Sequence, residues 1–289
     1  CMSAAYTGHV QEGALRQEMV RIGQMMYAAG LLCGYEGNLS VRLSENRILV
    51  TPAGLHKGLL RPEQLLIVDN DGRLVGYATE ARRGLRPTSE LPMHLEAYRQ
   101  RTDVTAVVHA HPPITVALSI AGVPMDTPLL PEVIVLLGQI PMAPYSMSSS
   151  EEGANAIREL VRHHDAIILQ RHGTLTVGNS LTQAFMRLET VEQNARIHFM
   201  LAQLGASGPM EGRELVKLLK MRRGMGLERA GDVADYRRLW GVGPIKSLLS
   251  GMMLVDETGG SCRTAASRPS SNQKTIPGLD PSASVSASP

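Results

Sequence analysis

The chain has 289 residues, of which 43% are hydrophobic and 19% charged, so it can fold around a sizeable core. Its 29 basic and 27 acidic residues give a net charge of +2, and only 3% of residues are aromatic. This composition argues against a nucleic-acid-binding protein. The sequence has no apolar run near the ~20 residues that span a bilayer, and three cysteines are too few for a disulfide framework. We therefore expect a cytoplasmic globular protein that binds neither nucleic acid nor membrane.

The first part of the chain predicts one helix followed by antiparallel strands. Apolar residues recur at helical spacing from Gln11 to Ala29, and Gly30 occupies the position that often follows a helix. Turn clusters such as Asn70-Asp71-Gly72 separate the short β-rich runs that come next. These predicted strands are Leu39–Leu43, Arg47–Val50 and Leu65–Val68.

Helical and β-rich segments alternate in the remainder, which favours a mixed sheet covered by helices. The predicted helices are Glu90–Arg99, Thr115–Ala121, Ser150–Val161 and Ser180–Leu204. The predicted strands are Ala106–His111, Ala166–Leu169 and Leu175–Val177. Near the end the composition shifts to Ser, Ala, Pro and Gly, which cannot bury enough apolar surface to fold. We expect one domain over residues 1–255 and a disordered tail over residues 256–289.

Histidines stand at the ends of two predicted strands. His109 and His111 are two positions apart, so both imidazoles can point to one face and bind one ion. His172 follows a second strand and could supply a third imidazole. Glu90 is expected in the first turn of a helix capped by Thr88 or Ser89, where it could add an oxygen ligand. Polar residues that close a strand and an ordinary first-turn carboxylate would explain the same pattern.

Five short motifs, taken together, resemble the class II aldolase and adducin family in their order and spacing. They are Gly37-Asn38-Leu39-Ser40, Thr51-Pro52-Ala53-Gly54, Pro87-Thr88-Ser89-Glu90, His109-Ala110-His111 and Arg171-His172-Gly173. They extend over about two-thirds of the chain. The resemblance implies a three-layer α/β/α fold with a central, mostly antiparallel sheet.

The resemblance also implies a metal, usually zinc, held by His109, His111, His172 and Glu90. In such enzymes the carboxylate binds the resting metal and acts as a base when substrate displaces it. Three imidazoles and one displaceable group are typical of a catalytic metal site with an open position. Because nitrogen ligands also suit Mn²⁺, Co²⁺ and Fe²⁺, the sequence leaves the ion open.

Similar enzymes bind the phosphate of their substrate with the small motifs. Carried over to this chain, the predicted phosphate-binding residues are Gly37, Asn38, Gly54, Thr88 and Ser89. Backbone N–H groups of turns and short hydroxyls can donate to an anion, although plain turn chemistry would explain the same residues. Lys57 lies close in sequence and could add charge to this pocket, although we expect a solvated surface residue.

Two features depart from the sugar-phosphate members of the family. Ala53 lacks the hydroxyl that often occupies its position. Those members also carry a tyrosine that donates a proton in a neighbouring subunit's site, and this chain lacks it. Glu132, Tyr145 or the segment near Tyr236 could replace that tyrosine.

These considerations predict a metal-dependent carbon–carbon lyase of carbohydrate metabolism. It would cleave or condense a ketose phosphate through a metal-stabilised enediolate, with Glu90 moving the proton. A metal-dependent decarboxylase of a hydroxylated aromatic or pyridine carboxylic acid is the first alternative, which the missing tyrosine and Ala53 favour. Epimerase and dehydratase members also exist, and an adducin-like interaction module without enzymatic activity is the last alternative. The resemblance further implies a homotetramer with active sites between subunits.

Overall fold

The computed structural model of the protein describes residues 2–77, 79–230, 232 and 236, with side chains from residue 11 onward. The predicted domain boundary at residue 255 and the predicted tail over residues 256–289 lie outside these residues. Within the described part of the chain, every helix is too short or too polar to cross a lipid bilayer.

The described residues form seven α-helices and seven β-strands. The helices are α1 (Met2–Ala28), α2 (Leu91–Gln100), α3 (Pro113–Ala121), α4 (Pro131–Leu136), α5 (Glu151–His163), α6 (Leu181–Gln203) and α7 (Gly212–Gly224). The strands are β1 (Asn38–Ser44), β2 (Arg47–Val50), β3 (Leu66–Val68), β4 (Ala106–Ala110), β5 (Met142–Ala143), β6 (Ala166–Leu169) and β7 (Gly173–Gly178). The six predicted strands and five predicted helices are therefore present, with ends shifted by at most a few residues except in α1, which begins nine residues before the predicted start.

All seven strands belong to one sheet, in the order β3-β2-β1-β4-β7-β6-β5. Neighbouring strands pair antiparallel except β5 and β6, which are parallel. The sequence did not predict β5 because two residues are too few to show a period. It also did not predict α4 and α7, which bury Ile134 and Leu219 in one small cluster.

Alternate residues of the strands face two separate hydrophobic clusters, as the pleat requires. On β4, Val108 and Ala110 pack into the cluster formed with α1 and α6. Val107, between them, packs into the cluster formed with α2 and α5. Helices thus cover both faces of the sheet, and the predicted three-layer α/β/α fold with a mostly antiparallel sheet is confirmed.

Local capping signals set several of these boundaries. The Ser150 side chain accepts a hydrogen bond from the backbone of Glu152 at the start of α5. Ser180 does the same for Gln183 at the start of α6. Gly30, just beyond α1, has a φ of +69° that glycine adopts without a steric penalty.

The strand directions decide which side chains can meet. Because β4 and β6 both run antiparallel to β7, they run in the same direction and end at the same edge of the sheet. His109 and His111 come at the end of β4, and His172 lies in the turn from β6 to β7. β1 runs the other way and begins at this edge, with Asn38 paired to His109.

Candidate metal centre and anion pocket

The three predicted histidines converge at this edge of the sheet. One ring nitrogen each from His109, His111 and His172 lies within 4.8 Å of the other two. The Nε2 atoms of His109 and His111 are 3.0 Å apart. Two nitrogen ligands of one tetrahedral zinc ion lie roughly 3.3 Å apart. The spacing of the His109 and His111 nitrogens is therefore close to that of two ligands of one ion, and His172 lies near enough to be the third candidate ligand.

A backbone contact orients His109 for metal binding. Its ring is fully buried, and Nδ1 lies 2.8 Å from the carbonyl oxygen of Thr174. Because a carbonyl can only accept, Nδ1 carries the proton and Nε2 keeps its lone pair for a metal. Burial, and then the neighbouring His111 and His172, hold the pKa of His109 well below its ordinary value. The ring is therefore neutral at physiological pH, as a ligand must be.

Carboxylates lie near the other two rings. His111 is half-buried, and its Nδ1 lies 3.5 Å from Oε1 of Glu36, whose Oε2 accepts a hydrogen bond from the backbone of Cys33. Burial lowers the pKa of His172, although the nearby Glu90 carboxylate acts in the opposite direction. Sequence reasoning missed Glu36, because the contact with His111 joins residues far apart in the chain.

Glu90 lies directly ahead of α2 and is buried beside the cluster. Its expected place in the first helical turn is wrong, since α2 begins at Leu91 and Glu90 is the capping residue with non-helical angles. The Thr88 hydroxyl accepts from the Glu90 backbone N–H and holds this turn. The Ser149 hydroxyl donates to Glu90 Oε1 over 2.8 Å. Among the described residues, the group whose ligand atoms lie close enough to hold one metal ion consists of the three histidines alone. The role of Glu90 as the fourth ligand therefore stays a prediction.

A cavity of about 290 Å³ joins the histidines to the predicted anion-binding loops. All nine predicted site residues line it: Gly37, Asn38, Gly54, Thr88, Ser89, Glu90, His109, His111 and His172. Gly37 has a φ of +69°, and a Cβ there would lie 3.1 Å from the carbonyl oxygen of His109. Both constraints favour glycine at this position.

Lys57 also lines the cavity, and its expected place on the surface is wrong. It is only 2% exposed, and its Nζ donates to the carbonyl oxygens of Tyr35 and Leu55 at 2.8 and 2.7 Å. Burial lowers the pKa of Lys57 to about 8. The reason lies in α1, where Gly23 lets the helix backbone approach that of Lys57 closely. The ammonium group thus ties together the two loops that carry the cavity's glycines.

Three candidates for the missing tyrosine do not line this cavity in the described chain. Glu132 lies on the exposed start of α4, and Tyr145 is 64% exposed beyond β5. Tyr236 is buried against α4 and α7. Tyr35 does line the cavity and is exposed, which sequence reasoning missed because the residue stands outside the motifs.

A larger cavity of about 490 Å³ lies beside β5 and β6, with Gln139, His164 and Gln170 among its lining residues. In the described part of the chain, only the histidine cluster meets the geometric requirement for a metal, and it belongs to the smaller cavity. The candidate site is therefore the smaller one.

Comparison with known proteins supports the same family as the motifs. The sequence profile described as Class II Aldolase and Adducin N-terminal domain matches residues 17–199. The chain is 33% identical over 194 residues to 3-oxo-tetronate 4-phosphate decarboxylase of Escherichia coli, covering 66% of this chain and 88% of that protein. It is 31% identical over 213 residues to 5-deoxy-D-ribulose 1-phosphate aldolase of Bacillus thuringiensis, covering 73% of this chain and 96% of that protein.

A solved structure extends this similarity to the fold. The crystal structure of L-fuculose-1-phosphate aldolase from Thermus thermophilus matches with a TM-score of 0.57 and 30% sequence identity. The match covers 68% of this chain and 98% of that one. These relatives are enzymes, which confirms the prediction of an aldolase-type enzyme over that of a non-enzymatic module. The sequence profile, the relatives and the fold agree that the chain belongs to the class II aldolase and adducin family.

Proposed function

We propose that this protein is a divalent-metal-dependent lyase that makes or breaks a carbon–carbon bond in a small phosphorylated sugar or sugar acid. One observation carries the proposal. A single cavity of about 290 Å³ contains three imidazoles grouped for a metal and, beside them, a set of donors suited to an anion. A cavity of this size suits a small substrate.

The anion-binding part of the proposal rests on donors and charge. Asn38, Thr88 and Ser89 bring an amide and two hydroxyls to the cavity, and Lys57 brings an ammonium group. Two of the three ammonium protons donate to carbonyl oxygens, which leaves one for a ligand. Among the described residues the ammonium group bonds only to carbonyl oxygens, and a buried cation without a carboxylate partner is well suited to a phosphate. The Lys57 ammonium group also compensates for the hydrogen-bond donor that is missing at Ala53.

The chemistry follows from the groups that face one another in the cavity. A divalent ion on the three histidines, when bound, supplies Lewis-acid stabilisation of negative charge that develops on substrate oxygens. Zn²⁺ is the first choice for three imidazoles, with Mn²⁺, Co²⁺ and Fe²⁺ as alternatives. Glu90 carries the proton to or from the reacting carbon. Ser149 holds that carboxylate by its hydrogen bond to Oε1, and Tyr35 is the chain's own candidate for a second proton donor.

Aldol cleavage of a ketose phosphate is the first candidate reaction, and decarboxylation is the second. The second is favoured by the similarity to a 3-oxo-tetronate 4-phosphate decarboxylase. Both relatives act on phosphate esters according to their names. This favours a phosphorylated substrate over a hydroxylated aromatic or pyridine carboxylic acid.

A paired substrate panel tests the proposal. The metal-loaded protein would be given ketose 1-phosphates, 3-oxo sugar-acid phosphates and the unphosphorylated form of each, with aldehyde and CO₂ release measured separately. We expect turnover of a phosphorylated member and a large loss on its unphosphorylated partner. The variant His111→Ala provides the background rate. Absence of turnover with every phosphorylated member, or equal rates with and without the phosphate group, would contradict the proposal.

The proposal includes a homotetramer with active sites between subunits. Support comes from exposed apolar side chains beside the cavity. Tyr35 and Leu59 are each 75% exposed, and Tyr27, which packs edge-on against His56, is 52% exposed. A neighbouring subunit would cover them and could bring Glu132 or Tyr145 to the site. Light scattering of the purified protein measures the assembly, and a fully active monomer would contradict it. The cytoplasmic location, expected from the sparse cysteines, also stays a prediction.

A further inference from the structure

A chain of buried polar side chains leads from the anion pocket into the layer between the sheet and α2. Asn38 Oδ1 lies 2.6 Å from His94 Nε2, and His94 Nδ1 lies 2.7 Å from the Ser40 hydroxyl. The Ser40 hydroxyl in turn lies 2.8 Å from the Tyr98 hydroxyl. His94 and Ser40 are completely buried, and Asn38 and Tyr98 nearly so. Of the four, only Asn38 lines the cavity.

Two elements in register build this chain. Asn38 and Ser40 are two apart on β1, so their side chains leave the same face of the strand. His94 and Tyr98 are four apart on α2, so they lie one turn apart on one face of the helix. The imidazole therefore sits between the two strand residues and contacts both.

The hydrogen bonds have one consistent direction. Burial lowers the pKa of His94 to about 3, so the ring is neutral, with one donor nitrogen and one acceptor nitrogen. Since the Asn38 carbonyl oxygen can only accept, Nε2 carries the proton. Nδ1 then accepts from the Ser40 hydroxyl, and the Tyr98 hydroxyl can donate to the Ser40 oxygen at 2.8 Å or to the carbonyl oxygen of Thr105 at 3.4 Å. Each buried group in the chain thereby has a partner.

We propose that His94 is a positioning residue, which holds the oxygen of the Asn38 amide and so turns its NH₂ group toward the anion pocket. The proposal rests on the proposed function, because the NH₂ group serves a phosphorylated substrate. An amide that could rotate would present its oxygen to the anion for part of the time, and an oxygen repels a phosphate. Fixing the amide before binding removes that state and the entropy cost of ordering it.

Two amide variants of His94 separate positioning from packing. In His94→Gln the amide nitrogen can take the place of Nε2 and still donate to Asn38. In His94→Asn the shorter side chain can take the place of Nδ1, which keeps a partner for Ser40 but leaves Asn38 unheld. Both variants keep a buried polar side chain, so a structural defect would affect both.

The probe is inorganic phosphate, titrated calorimetrically into the metal-loaded protein. We expect the Kd for phosphate to rise about tenfold in His94→Asn, as for a weakened hydrogen bond to a charged group. In His94→Gln we expect a Kd close to that of the wild type, with equal metal content in all three proteins. Equal Kd values for the wild type and His94→Asn would overturn the positioning role.

The tautomer of His94 gives a test that needs no variant to fold. In the wild type labelled with ¹⁵N-histidine, we expect the His94 ring to stay neutral, with its proton on Nε2, from pH 5 to pH 9. A free histidine would change its charge within this pH range. A proton on Nδ1 would require the Asn38 NH₂ group to face His94 and would overturn the inference. A wild type that shows the Nε2 proton but binds no phosphate would instead contradict the proposed function, and with it the purpose assigned to Asn38.

Discussion

Each of two opposite edges of the sheet carries a cluster of ionisable side chains. We call them the starting edge, where β4 and β6 begin, and the ending edge, where these strands end. The two clusters differ in how their charges are paired. At the starting edge Asp165, whose side chain is fully buried, contacts three arginines. The nitrogen–oxygen distances are 2.6 Å to Arg101, 2.8 Å to Arg187 and 2.9 Å to Arg229. At the ending edge the three histidines face one another, and the contacts among them join like groups.

The contrast shows how function can be distinguished from stability in buried polar clusters. Burial alone would raise the pKa of Asp165, but Arg187, Arg101 and Arg229 together lower it. Every charge there has an opposite charge beside it. Burial and the neighbouring histidines lower the pKa of His109, and its hydrogen-bond partners in the described part of the chain are the Thr174 carbonyl oxygen and His111. A cluster of like donors around a cavity gains little by itself, so it indicates a ligand that completes it.

The largest expected effect is the loss of metal binding at the ending edge. His111→Ala removes one of three nitrogen ligands, so we expect the divalent metal content to fall close to zero and turnover to be lost. Mass spectrometric metal analysis measures the first and the substrate panel the second. His163→Ala, at an exposed position on α5, is the matched control. Full metal content in His111→Ala would contradict the three-histidine site.

At the same edge, the substitution Glu90→Gln separates metal binding from proton transfer. The substitution preserves size and removes the charge, so we expect kcat to fall by roughly 10²–10⁴, as for a lost general base, with the metal retained at lower affinity. Steady-state kinetics with metal analysis would measure both. Glu159→Gln, an exposed residue paired with Arg162 on α5, is the control. A wild-type kcat in Glu90→Gln would contradict the catalytic role.

Asp165→Asn removes the central carboxylate of the ion-pair cluster at the starting edge. It leaves three arginines around a buried neutral group, so we expect the free energy of unfolding to fall by about 3–5 kcal/mol. Chemical denaturation provides the measurement. Asp71→Asn, in an exposed ion pair with Arg73, should cost at most about 1 kcal/mol. Equal effects of the two substitutions would contradict the structural role of the cluster.

The pH dependence of that difference follows from the lowered pKa of Asp165. Its stabilising contribution is fully present above the unfolded-state value of 3.8 and is lost as the pH falls through the lower folded-state pKa. The stability gap between the wild type and Asp165→Asn should therefore be constant near neutral pH and narrow below pH 3.8. Denaturant titrations at a series of pH values test this, and a gap that widens in acid would contradict it.

The smallest expected effect concerns Lys57, whose ammonium group is a cation at the functional edge. In Lys57→Met we expect the Kd for inorganic phosphate to rise about tenfold, as for a lost charged hydrogen bond. In the wild type the affinity should weaken above about pH 8, because the lowered pKa removes the charge there. This decline should be absent in Lys57→Met and unchanged in Lys217→Met, an exposed lysine on α7. A Kd for phosphate that changes neither with pH nor in Lys57→Met would contradict the proposed anion pocket.

Local patterns were sufficient to predict a mixed sheet covered by helices, six of the seven described strands and the candidate metal-binding histidines, whereas the three-layer arrangement came from the family resemblance. The alternation along β4 and the capping serines of α5 and α6 depend on neighbours within a few residues, so they can be recognised in the sequence alone. His109 and His111 are paired by the strand period, and His172 by the end of a second strand. The roles of these residues as ligands remain predictions that metal analysis will test.

The tertiary structure alone decided the surroundings of those residues. Lys57 is buried because α1 passes close to its backbone at Gly23, a contact that no local pattern indicates. His94 reads in sequence as an ordinary helical residue, yet β1 and α2 together place it between Asn38 and Ser40. Spacing determines which face of an element a residue occupies. Only the packing of distant elements determines what that face meets, and this is why the support of the site could not be predicted.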